Sequence, residues 1–166
     1  MKTDIGEYIV GAYLKIIKEC AFIDYNVRAP GGGVEGLGEI DVLGLDFKKN
    51  KVYLCEVTTH IRGILYGDYK TTFLRVKDKY LRLKRYALKH LKQFNENDIT
   101  YMFWSPVVPR GTLDKKLETI RGLELVINEE YTRCINQLRE KAKDLTHDAG
   151  NPFFRTLQIL EHLREI

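Results

Sequence analysis

The sequence predicts an α/β domain: a central mixed sheet of about five strands flanked by helices, with extra helices at the C-terminal end. Three observations predict it. Residues 38–60, GEIDVLGLDFKKNKVYLCEVTTH, read as two short strands around a lysine-rich turn. From residue 71 onward helix and strand patterns alternate, which suits a right-handed crossover and a mixed sheet. Residues 128–166 then read as helix alone.

The chain has 166 residues, enough to bury one core. With 27 Lys and Arg against 23 Asp and Glu it carries a net charge of +4. That mild basicity suits a polyanionic partner and suits ordinary solubility equally well. Cys20, Cys55 and Cys134 are odd in number and lack metal-ligand spacing. They predict free thiols in a reducing compartment, not a disulfide framework or structural zinc. No apolar run approaches a membrane span and no leader pattern opens the chain, so a cytoplasmic protein with no membrane partner is expected. No repeat or linker divides the sequence; residues 1–166 read as one domain, with a core over about 4–127 and a helical extension over 128–166.

Taken in order, residues 4–20 predict a helix with Asp4 as N-cap and Glu7 as its capping-box partner. Ile5, Ile9, Ala12, Tyr13, Ile16 and Cys20 form its apolar stripe, and Glu7 falls off that stripe. Residues 22–28 predict a strand, followed over 29–38 by the Gly-rich run APGGGVEGLG, which matches no dinucleotide or P-loop pattern and reads as a mobile loop. The two acidic strands come next, then a connector over 61–70 and the longest helix, over about 71–94. On that helix Phe73, Val76, Tyr80, Leu83, Ala87 and Leu91 form one apolar stripe, and Leu74, Leu81 and Leu88 a second beside it. Lys77 and Lys84 fall between the stripes, on the side expected to be buried. Arg75, Lys79, Arg82, Arg85, Lys89 and Lys92 fall on the opposite face, which reads as solvated or as lying along a phosphate backbone. Residues 99–104 and 123–127 predict strands around a short helix at 114–121, and 129–145 and 152–164 predict two final helices. Phe153 and Phe154 on the last helix either meet a partner or cover the chain's own sheet.

The chemistry sits in the acidic strands. Asp41 and Glu56 each interrupt an apolar strand, where a carboxylate costs several kcal/mol unless something pairs with it. Two on adjacent strands repel each other, and a shared divalent cation such as Mg²⁺ relieves both. Pairing with the chain's many basic residues, or exposure at an edge, is the other reading.

The runs IGEYIVGAYLKIIKECAFIDYNVR, GLGEIDVLGLD and KVYLCEVTT, in this order, resemble the PD-(D/E)xK nuclease superfamily, in particular its small Holliday-junction-resolvase-like branch. The resemblance covers about residues 4–127 and implies a restriction endonuclease-like fold. It also implies Mg²⁺- or Mn²⁺-dependent endonuclease or exonuclease activity on DNA. Asp41 and Glu56 would ligate the metal with the backbone carbonyl of Val57, and Glu7 would assist. Arg75, Lys79, Arg82 and Arg85 would contact DNA. Superfamily members that cut both strands are commonly dimers, which makes a homodimer a candidate state.

One position departs from the pattern. Thr58 stands where the superfamily has lysine, and threonine cannot offset the charge that develops on the phosphate. Either a lysine on a neighbouring element replaces it, for which Lys77 is the expected candidate and Lys84 the next, or the domain binds nucleic acid without cutting it. In the second case it serves as a binding module or as a subunit of a restriction or repair assembly. A third reading, an interaction protein whose acids simply pair with lysines, stays open. His60, two residues past Thr58, is either a proton carrier or structural.

Overall fold

A computed structural model of the chain describes residues 3–28 and 39–163; the Gly-rich run expected to form a loop lies outside them. The described residues form a five-stranded sheet in the order β1 (Phe22–Val27), β2 (Ile40–Asp46), β3 (Lys51–Val57), β4 (Ile99–Ser105) and β5 (Leu123–Ile127). The β1–β2 and β2–β3 pairs are antiparallel, whereas β3–β4 and β4–β5 are parallel. The tight β2–β3 turn is held by Asp46, whose Oδ1 accepts from the Lys48 and Lys49 amides at 3.0 and 3.1 Å, and Asn50 closes it with a left-handed φ of 53°.

Parallel neighbours need crossovers, and both crossover helices lie on one face of the sheet. Helix α2 (Tyr69–His90) joins β3 to β4, and the short α3 (Leu113–Leu117) joins β4 to β5. Val76, Tyr80, Leu83 and Ala87 of α2 and Leu113 and Leu117 of α3 pack there on Leu43, Leu54, Tyr101 and Phe103. The other face carries α1 (Ile5–Ile16), α4 (Asn128–Asp144) and α5 (Pro152–His162), packed on Val42, Cys55, Met102, Trp104 and Val126. Alternation along the strands sends Cys55 and Glu56 to opposite faces. All three cysteines are buried free thiols. Phe154 is fully buried in the second cluster, so α5 covers the chain's own core. No described helix is long and apolar enough to cross a membrane.

Helix α1 buries a wider surface than its expected stripe, of which Ala12 and Tyr13 are buried and Ile9 and Ile16 pack against the core. Val10, Tyr13 and Leu14 are buried together with Gly6, Glu7 and Gly11, while Ile5 is exposed. The two glycines explain the choice. A Cβ on Gly6 would lie 2.4 Å from Thr59 Cγ2, and one on Gly11 would lie 2.1 Å from the Tyr25 hydroxyl, so only this side permits the close approach. Glu7 is therefore buried, and it is also the capping-box partner of Asp4.

Helix α2 is rotated relative to expectation. Its first apolar stripe is buried, but Leu74, Leu81 and Leu88 of the second are exposed, and Lys77 beside them is exposed too. The opposite flank, with Lys79 and Arg82, turns inward. The helix begins two residues earlier than its periodicity suggests because Asp68 caps it, accepting from the Thr71 amide at 2.6 Å.

The rotation of α2 has a direct test in denaturant unfolding. Leu83→Ala is expected to lower stability by about 2–5 kcal/mol, the cost of a cavity in a filled core. Leu81→Ala should stay within about 0.5 kcal/mol of the parent, as surface changes do. Equal losses at the two positions would contradict the burial pattern.

Candidate functional site

The β2–β3 register pairs Val42 with Cys55, so one residue further along Asp41 faces Glu56 across the ladder. The two carboxylates thus share a face of the sheet at the end of β3, beneath the inward flank of α2. Their surroundings differ. Glu56 is buried, with 1% of its side chain exposed, and holds two cations: Lys79 Nζ at 2.9 Å from Oε2 and Arg82 Nη2 at 2.5 Å from Oε1. Lys79 and Arg82 lie three residues apart, so one turn of α2 presents both to one carboxylate.

Asp41 has no such cation among the described residues. Its Oδ2 accepts the Val57 amide at 2.6 Å. Burial pushes its carboxyl up to about 6, and the Glu56 and Glu7 charges add to the rise, against the partial relief from Lys79 and Val57. Burial alone would lower the pKa of Lys79, but Glu56 and Asp41 together outweigh it and hold the ammonium more strongly protonated than usual. Glu7 reaches this field from α1. Its Oε2 accepts from the Asp4 amide at 3.0 Å and from Asn26 Nδ2 at 2.9 Å, and burial raises its pKa despite those bonds. Asn26 meets it from β1 with a left-handed φ of 54°.

Thr58, next after β3, is buried. Its amide donates to the Trp104 carbonyl at 2.9 Å, but its Oγ1 has no hydrogen-bond partner among the described residues. Arg82 Nε is likewise buried and unpartnered among them. Buried polar atoms are nearly always bonded, and an ordered water or a bound group would satisfy both. His60 is exposed, and its ring meets Tyr66 edge-on at 5.7 Å; the Arg75 guanidinium stacks on that same Tyr66 ring at 4.7 Å.

Two expectations are corrected by this geometry. Lys77 does not turn toward the acids: it is exposed on the outer flank of α2, and the lysine at the site is Lys79. Lys84 pairs with Glu96 at 3.4 Å, away from the carboxylates. The basic row expected to face DNA is also split. Arg75 and Arg85 are exposed, while Lys79 and Arg82 are engaged with Glu56. Arg82 as an inward partner was missed. The available signal was the Lys79–Arg82 spacing, which fits a single buried acid.

Asp41, Glu56 and the Val57 carbonyl are hard oxygen donors of the kind Mg²⁺ takes, although no group of three or more His, Cys, Asp or Glu side chains that could hold a metal occurs among the described residues. No protein-family model, no curated protein and no solved structure matches the chain.

The unequal treatment of the acids predicts a pH dependence of stability in chelator. Asp41 binds its proton more tightly folded than unfolded, so between about pH 4 and 6 the native state holds the extra proton. Stability is therefore expected to fall as pH rises through that window and to level off above about 6. Asp41→Asn, followed by thermal unfolding, should remove this fall. Glu56→Gln acts in the opposite sense: it leaves Lys79 and Arg82 without their counter-charge and is expected to cost about 3 kcal/mol at neutral pH.

Proposed function

We propose that the chain is a divalent-metal-dependent nuclease that hydrolyses phosphodiester bonds in DNA, with Lys79 in place of the missing motif lysine. The observation that carries this reading is the placement of Lys79 Nζ 2.9 Å from Glu56, beside Asp41, at the end of β3. It fits the resemblance of the sequence to the PD-(D/E)xK superfamily, and the parallel-strand end is where open α/β sheets place ligands.

The donor set suits the metal. Asp41 is half-buried beside a second carboxylate with no side-chain ion pair among the described residues, and the orphaned Thr58 hydroxyl lies next in sequence to the Val57 carbonyl. Asp41, Glu56 and that carbonyl would hold Mg²⁺ or Mn²⁺. When bound, such an ion supplies Lewis-acid charge at the phosphoryl oxygens and lowers the pKa of a coordinated water.

The chain's own groups do the rest. Lys79 stays protonated at neutral pH, because the carboxylates outweigh its burial, so it serves as a fixed positive charge and not as a base. A fixed cation at the phosphate offsets the negative charge that grows in the transition state, an effect of a few kcal/mol. Arg82 shares Glu56 with it and restrains the carboxylate on its other oxygen. Glu56 would hold the metal through an oxygen released from one of its two ion pairs. Thr58 Oγ1 offers a hydrogen bond and no charge. Glu7 adds negative potential from the α1 side, which favours cation binding.

A second reading has its own observation. Both oxygens of Glu56 are already neutralised by Lys79 and Arg82, so the site is close to charge-balanced without a metal. A domain of that kind binds nucleic acid without cutting it, alone or as a subunit of a larger assembly.

Cleavage of plasmid, linear duplex, branched and single-stranded DNA with Mg²⁺ or Mn²⁺ separates the two. Activity that is lost with chelator and with Asp41→Ala is expected, together with a fall of about 10²-fold or more in Lys79→Ala and little change in Lys77→Ala. DNA retention in a gel with no cleavage by the parent would establish the binding module instead.

A further inference from the structure

The outer flank of α2 carries a feature that the acidic site leaves unused. Leu74, Leu81 and Leu88 are exposed to 46, 40 and 70% and recur every seven residues along one side of the helix. At 1.5 Å per residue they mark a straight ridge of about 21 Å. At its C-terminal end Leu88 also lines a cavity of about 240 Å³ whose other walls include Leu91, Phe94, Ile99 and Tyr101. The ridge therefore runs into a mostly apolar socket.

The charges beside the ridge are predominantly basic, although Glu96 also lines the socket. Lys77, Arg85 and Lys92 are exposed beside the leucines, and none forms an ion pair among the described residues. Asp78 is the one acid on that flank of α2. From this we infer that the outer flank of α2 docks an acidic amphipathic helix of another protein.

Each part of that occupant follows from the surface. A seven-residue leucine repeat returns to the same flank every second turn, the spacing at which a second helix crossing at about 20° stays in register along the ridge. One large apolar side chain of the partner fills the socket beside Leu88. Glutamates or aspartates flanking the partner's seam meet Lys77, Arg85 and Lys92. A second copy of this chain would oppose these cations with the same cations, which like-charge repulsion disfavours. A nucleic acid would satisfy the cations but gains nothing from three leucines, which hold water and phosphate apart. The surface is separate from Asp41 and Glu56, and the inference does not rest on the nuclease reading.

The test measures fluorescence anisotropy of labelled designed helices of three heptads with the full chain. One probe has leucine every seven residues with flanking glutamates. A second keeps the glutamates but has glutamine for leucine, and a third keeps the leucines but has lysine for glutamate. The first is expected to bind at least about tenfold more tightly than either of the others. Leu81→Gln in the chain should weaken it about tenfold with unchanged thermal stability, and Lys77→Glu with Arg85→Glu should shift preference toward the basic probe. Equal binding of the two acidic probes overturns the inference, as does no binding of any probe. So does tight binding of a short DNA duplex that Lys77→Glu weakens and Leu81→Gln does not, which marks a polyanion surface. Sedimentation showing a dimer that Leu81→Gln dissociates assigns the ridge to a second copy and overturns it too.

Discussion

A carboxylate buried to 1% in an interior strand demands cations, and Glu56 receives two from a single turn of one helix. That demand fixes the rotation of α2. Removing one partner of a buried pair costs about 3–5 kcal/mol. Turning the helix to cover Leu74, Leu81 and Leu88 instead would recover part of about 1.5–3 kcal/mol for each leucine. It would also withdraw Lys79 and Arg82 and lift Val76 and Leu83 out of a filled core. The ion pairs and the buried stripe act in the same direction, so the leucines stay outside. The Asp68 cap and the Thr72 hydroxyl, which accepts the Tyr66 amide at 2.8 Å, then hold the start of the helix in that phase.

The same arrangement leaves Asp41 short of charge. It faces Glu56 across the β2–β3 ladder, yet both cations of α2 have gone to Glu56. A backbone amide at 2.6 Å is its compensation, and that is insufficient: burial and the neighbouring acids still carry its pKa to about 6. The site is therefore asymmetric, with one acid satisfied and one not. Glu7 deepens the imbalance from the other layer of the fold. An added cation would correct it.

Much of this was legible in the sequence, for reasons that differ by element. The acidic strands are short, β-branched and joined by a lysine-rich turn, so their pairing and the meeting of Asp41 with Glu56 follow from local pattern alone. The Asp4–Glu7 capping box is equally local and is present. What the pattern did not fix was rotation. Helix α1 is apolar on nearly every side, so hydrophobicity could not choose a face; Gly6 and Gly11 choose it, through contacts with Thr59 and Tyr25 that lie far away in the chain. Helix α2 has leucines on one flank of its core stripe and basic residues on both. An apolar count favours burying the leucine flank, and with it Lys77. The deciding partner, Glu56, lies on a strand before the helix, and only the tertiary fold brings it to Lys79. The fold layers were set by short-range chemistry, the site by a long-range ion pair.

Helix α2 consequently has three faces with three tasks. Its centre fills the core, its inward flank neutralises Glu56, and its outward flank displays leucines among exposed cations. The central stripe separates the two flanks, so no residue that holds Glu56 is among those on the ridge. A ligand at the acids and a helix on the ridge therefore compete for no side chain. Any influence of one on the other would have to pass through movement of the helix as a body. The packing of Val76, Tyr80, Leu83 and Ala87 against β3 and β4 opposes such movement. Occupancy of the two surfaces is thus expected to be independent, with the helix acting as a rigid divider between them.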